Sequence, residues 1–122
     1  METSRIIAVV DDDSAVREAI SFLLRSFGYD AIAFESAEEF LHSTTVQHAS
    51  CVITDIKMPG MTGVELQRCL ISGGHRLPVI FMTAFPEESV KRHVLSAGAY
   101  GFLTKPCEPQ YLIECLETAL QA

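Results

Sequence analysis

Three features of the sequence predict an α/β protein built on one parallel sheet covered on both faces. Five short apolar runs recur along the 122 residues, and segments with helical periodicity separate them. The best of these runs are continuously apolar rather than alternating, the mark of strands with no solvent face. Gly and Pro punctuate most of the boundaries, leaving only short connections. Five strands alternating with five helices in this way imply right-handed crossovers and a parallel order.

The first strand is the run Arg5-Ile6-Ile7-Ala8-Val9-Val10, and Asp11, Asp12 and Asp13 follow it directly. Val16, Ala19, Ile20, Leu23, Leu24 and Phe27 then fall at helical spacing, and Gly28 ends that helix. Residues 29–34 make a weaker strand, placed near an edge. Ser36-Ala37-Glu38-Glu39 has the form of a capping box that opens a short helix through Leu41. Residues 44–50 read as a polar loop.

The third strand is Cys51-Val52-Ile53-Thr54, ending at Asp55. Thr62-Gly63-Val64-Glu65 is a second capping box, and its helix runs to Gly73-Gly74. Leu77 to Met82 is the fourth strand, with Pro78 near its start, where a missing donor is tolerated. Pro86, with Glu87 and Glu88, is expected to open a helix that reaches Ala97 and stops at Gly98. Its apolar face, Val90, Val94 and Ala97, is thin. Ala99 to Leu103 is the last strand. Pro109 begins a final helix with Leu112, Ile113, Leu116, Ala119 and Leu120 on one face.

A hydrophobic content of 48% and a charged content of 20% suit one domain with its own core. The net charge of −7 argues against this segment gripping a nucleic-acid backbone or an anionic membrane. Cys51, Cys69, Cys107 and Cys115 show no CxxC spacing and read as reduced thiols. His42, His48, His75 and His93 likewise show no metal or relay spacing. No signal-peptide pattern precedes the first strand, and no apolar run approaches the ~18 residues of a membrane span. These readings lead to the expectation of a soluble, cytoplasmic protein.

The stretch from Thr54 to Gly63 organises the rest. An apolar strand that ends in one acid, followed by Pro and Gly punctuation, delivers a carboxylate to the rim of a sheet. Alone, Asp55 reads equally well as an acid that merely starts a turn. Its Asp-x-x-Met-Pro-x-x-x-Gly pattern resembles the phosphoacceptor loop of response-regulator receiver domains, which take a phosphoryl group in two-component signalling. Lys105-Pro106, after an apolar strand, resembles the second signature of that family, and Thr83-Ala84 and the acidic run agree with it. The resemblance spans about Arg5 to Leu120, implying one receiver domain over residues 1–122. It is strongest to the FixJ type, receivers normally joined to a helix-turn-helix, transcription-regulating output domain.

The resemblance implies a flavodoxin-like, doubly wound sheet in the order 2-1-3-4-5, with ligands at the carboxyl ends of the strands. Asp11, Asp12, Asp55, Thr83 and Lys105 would meet there. Carboxylates gathered at one rim repel each other and favour a hard divalent cation, and Mg²⁺ leaves coordination positions for phosphate oxygens. By family register, Asp12 is the direct ligand, Asp11 a water-mediated one, and the Lys57 carbonyl a further one. Asp13 reads instead as a first-turn or N-cap acid. Asp55 would be the nucleophile, forming an acyl phosphate. Lys105 would serve the phosphoryl oxygens and Thr83 would donate its hydroxyl to one of them. A cis Lys105–Pro106 peptide is also implied.

The implied partner is a sensor histidine kinase, and the chain itself is expected not to be an enzyme. Thr83 and Phe102 would form the switch, and the helix after Pro86 a surface for phosphorylation-dependent pairing of two copies. Cys107 departs from the pattern, since an aromatic residue usually follows Lys-Pro.

Other readings fit less well. A flavodoxin-like redox protein needs a Ser/Thr/Gly-rich phosphate loop where this chain has three acids. A dinucleotide binder needs a G-x-G-x-x-G run, and a haloacid-dehalogenase-type phosphatase an Asp-x-Asp-x-Thr run; neither occurs. A phosphorylation-independent pseudo-receiver remains the rival from another class.

Overall fold

A computed structural model of the chain describes residues 5–121. Met1–Ser4 and Ala122, the ends of the expected domain span, lie outside the described residues. Five strands, β1 (Ile6–Val10), β2 (Asp30–Phe34), β3 (Cys51–Asp55), β4 (Val79–Thr83) and β5 (Gly101–Thr104), form one sheet. Its order is β2-β1-β3-β4-β5 and every pairing is parallel. The helices are α1 (Ser14–Ser26), α2 (Ala37–Leu41), α3 (Gly63–Ser72), α4 (Glu88–Ser96) and α5 (Pro109–Gln121).

Alternation along the central strands divides the core in two. Ala8, Val10, Val52, Val79 and Phe81 face one side, where Phe40 of α2, Leu66 and Leu70 of α3 and Val94 of α4 pack. Ile7, Val9, Cys51, Ile53, Ile80 and Met82 face the other, against Ile20 and Leu24 of α1 and Leu112, Ile113 and Leu116 of α5. Phe40 and Phe81 are wholly buried, and burying each contributes roughly 1.5–3 kcal/mol.

Local chemistry sets the helix ends. Asp13 caps α1, its carboxylate accepting from the Ala15 and Val16 amides at 2.9 and 3.4 Å. Thr62 and Glu65 form the complete capping box of α3. Pro109 is the first residue of α5.

Several expectations need correction. Phe27 is the cap residue of α1 and Ala19 lies on its outer side, so both are exposed rather than core. Ser36 accepts from the Glu39 amide as expected, but Glu39 reaches back to the amide of Glu35, one residue beyond the cap, so the box is not closed. The polar loop contains a 3₁₀ turn, Thr44–Gln47, held down by buried Val46. Pro78 stands just before β4, its carbonyl accepting from Val52. Pro86 also stands outside its helix: α4 starts at Glu88, with Glu87 as its cap residue.

Candidate functional site

The switch point of this strand order lies between β1 and β3, so acids at their ends share one rim. Carboxylate oxygens of Asp11, Asp12 and Asp55 lie within 4.8 Å of one another. Asp11 is 2% exposed, whereas Asp12 is open to solvent. The end of β5 brings in the counter-charge. Lys105 Nζ stands 2.7 Å from Asp11 Oδ2 and 3.2 Å from Asp55 Oδ2. The Lys105 amide donates to the Thr83 carbonyl at 2.8 Å, and the Lys105–Pro106 peptide is cis.

Each oxygen has a distinct environment. Asp11 Oδ1 accepts from the Asp13 amide at 2.9 Å, so both of its oxygens are engaged. Asp55 Oδ1 accepts from the Ile56 amide at 2.7 Å, while Oδ2 faces Lys105. Partial burial pushes the Asp55 carboxyl above the usual carboxylate range; Lys105 opposes that rise and the Asp11 charge adds to it. Burial alone would depress the Lys105 ammonium, but its bond to Asp11 and the charges of Asp11 and Asp55 leave it raised. The ammonium sits 0.5 Å closer to Asp11 Oδ2 than to Asp55 Oδ2, 2.7 against 3.2 Å.

The loop after Asp55 is closed by the Gly63 amide donating to the Ile56 carbonyl at 2.8 Å. Gly63 is obligatory there, because a Cβ would fall 2.1 Å from the Asp55 carbonyl oxygen. Buried Ile56 and Met58 anchor the loop in the core, and Lys57 points outward. Its ammonium lies 5.5 Å from the centroid of the Phe85 ring and 3.6 Å from Glu87 Oε1. Thr83 is buried, its hydroxyl accepting from the Phe85 amide at 3.1 Å. Phe102 pairs with Phe81 in register and is half-buried over the same face as Thr83.

Three contacts had no sequence signal. Arg17 donates to the Asp11 carbonyl at 2.8 Å, Lys105 pairs with Asp11, and Glu38 of α2 accepts from the Met61 amide at 3.1 Å.

The family model described as the response regulator receiver domain matches residues 7–117. The chain is a response-regulator receiver domain. The receiver is 38% identical over 116 residues to the response regulator protein TmoT of Ectopseudomonas mendocina, covering 95% of this chain and 53% of that protein. It is 33% identical over 121 residues to the transcriptional regulatory protein FixJ of Bradyrhizobium diazoefficiens, covering 99% and 59%. The crystal structure of FixJ-N superimposes with a TM-score of 0.87 at 31% identity, covering 98% of the receiver and 96% of that chain. The receiver is therefore of the FixJ type, with the flavodoxin-like fold. It spans about half the length of the curated relatives it matches.

Proposed function

We propose that Asp55 is the phosphoacceptor of this receiver and that Mg²⁺ is its cofactor. The observation that carries this reading is one ammonium set among three carboxylates. With Asp11, Asp12 and Asp55 ionised and Lys105 charged, the cluster keeps a formal charge of about −2, which a divalent cation balances. Asp11 already spends both oxygens on Lys105 and Asp13, so it suits a water-mediated role. Exposed Asp12 suits direct ligation; Asp55, less buried than Asp11 with side chains 13% against 3% exposed, would join it, and the Lys57 carbonyl is the further ligand by family register. When bound, Mg²⁺ would neutralise charge on the phosphoryl oxygens.

The residues of the chain do the rest. Asp55 Oδ2 attacks phosphorus as the N–P bond of a phosphohistidine on the partner kinase breaks. The products are the acyl phosphate and a free imidazole, so no water is consumed. Lys105 then exchanges a carboxylate oxygen of Asp55 for a phosphoryl oxygen, and the Thr83 hydroxyl turns from the Phe85 amide to another. That turn frees volume beside Phe102, whose ring has no polar group to leave unpaired when it rotates inward.

The exposed side of α4, with only Val94 fully buried and Leu95 and Tyr100 exposed nearby, is the surface for pairing of two phosphorylated receivers. Those receivers control a transcription-regulating output domain, in keeping with the named role of FixJ. The whole span 1–122 then works as one receiver domain, with no catalysis of its own beyond this transfer.

Intact mass after incubation with acetyl phosphate tests the acceptor. One phosphoryl group is expected with Mg²⁺ and none with excess EDTA or in Asp55→Asn. Equal labelling of that variant would reject Asp55. Sedimentation with and without beryllofluoride, a phosphoryl mimic, tests the switch. A dimer that forms only with the mimic is expected, and an unchanged mass would reject switched pairing.

A further inference from the structure

Glu38 makes a contact that its place in the short helix α2 does not require. Its carboxylate leaves the helix and reaches the far loop, where Oε2 accepts from the Met61 amide at 3.1 Å. The other oxygen, Oε1, is buried with no hydrogen-bond partner among the described residues. An unpaired buried acceptor costs stability, on the order of 1–3 kcal/mol, so this arrangement is a poor choice for a purely structural contact. The loop is built to receive it. Gly60 adopts a φ of +75°, and a Cβ there would fall 2.6 Å from Glu38 Oε2. The loop adjoins the acidic cluster: Asp55 begins it, Gly63 closes it on Ile56, and in the Mg²⁺ reading above the Lys57 carbonyl within it is a ligand.

We propose that Glu38 is a positioning residue for the cation site, tethering the tip of the 56–62 loop so that the Lys57 carbonyl and Asp55 keep the spacing the cation needs. This rests on the Mg²⁺ reading above. Residues that orient ligands without touching the metal commonly control its affinity by about 10- to 100-fold when removed. Glu38 touches none of the reacting groups; it acts through the Met61 amide and the loop backbone. Gly60 is the second half of the device, because a side chain there would push Oε2 off the amide.

Amide NMR titration with Mg²⁺ in the absence of any phosphoryl donor reads affinity directly. Glu38→Ala is expected to raise the Mg²⁺ midpoint by about tenfold or more. Glu38→Gln, which still offers a carbonyl oxygen to Met61, is expected to stay close to wild type. Melting without Mg²⁺ separates positioning from folding, since Glu38→Ala also removes the unpaired oxygen and is not expected to melt much lower.

Asp12→Ala, titrated alongside, is expected to lose binding. Wild type and Asp12→Ala titrating alike would overturn the metal reading and this inference together. Glu38→Ala titrating like wild type, while Asp12→Ala fails, would overturn the tether alone. Glu38→Gln failing as badly as Glu38→Ala would do so as well.

Discussion

Lys105 stands nearer to Asp11 than to Asp55, 2.7 against 3.2 Å. The ammonium therefore already performs a task before any phosphoryl group arrives: it neutralises a buried acid at the end of β1. Removing it leaves Asp11 buried and unpaired, a change that typically costs about 3–5 kcal/mol for a fully buried pair. With the pair's side chains 14% and 3% exposed, Lys105→Ala is expected to lose about 2–4 kcal/mol of stability without Mg²⁺. Mg²⁺ binding should survive and restore much of that loss, because the cation supplies the missing positive charge. Thermal melts with and without Mg²⁺ check this; equal losses in both conditions would contradict it.

Lys57 offers the opposite case, since its backbone and side chain are assigned different tasks. Its ammonium lies over exposed Phe85 and beside exposed Glu87. An exposed ion pair of this kind is worth about 0–1 kcal/mol. Lys57→Ala is therefore expected to change stability by less than about 1 kcal/mol. The Mg²⁺ midpoint should hold, because the carbonyl remains. A lost midpoint on titration would show that the side chain, not the carbonyl, matters.

Gly63 is the position where a single methyl group should do most harm. Its Cβ would meet the Asp55 and Ile56 backbone rather than a movable side-chain end. Overpacking costs typically 1–3 kcal/mol when side chains can shift, so Gly63→Ala is expected to exceed about 3 kcal/mol. Chemical denaturation gives the value, and a cost near zero would mean that the loop can open without disturbing β3.

The capping box of α3 supplies a pH signature away from the acidic site. Hydrogen bonding to the Thr62 amide, then to the Thr62 side chain, holds the Glu65 carboxyl below its ordinary value of 4.5. A lowered folded-state pKa means that the stabilisation is complete above about pH 4.5 and is lost as pH falls through the lowered value. The difference in Tm between wild type and Glu65→Ala should thus be constant at neutral pH and shrink on acidification below that point. A gap that widens on acidification would contradict the assignment.

Much of this was legible in the sequence for identifiable reasons. Strand and helix periodicity come from burial, and the burial pattern of β1, β3 and β4 is nearly continuous, so their ends, and with them Asp11, Asp55 and Thr83, were placed by pattern. Asp13 was readable as a cap because capping is local. The contacts that were missed are long-range. Glu38 reads as a first-turn acid of α2, and nothing local says that it bonds a residue 23 positions away. Pairing of Lys105 with Asp11 spans 94 positions and depends on β5 lying three strands from β1, with β3 and β4 between them. Phe27 fitted the apolar period of α1 but falls where the helix has already ended, so periodicity alone misplaced it in the core.

The central claim is that the phosphoryl group is carried by the Asp55 carboxylate. Borohydride reduces an acyl phosphate to the alcohol, converting a phosphorylated Asp to homoserine, which peptide mass spectrometry locates. After treatment with acetyl phosphate and Mg²⁺, the conversion should fall on Asp55, and Asp11, Asp12 and Asp13 should remain unmodified. Conversion at one of those three acids, or a phosphorylated chain with Asp55 intact, would contradict the account.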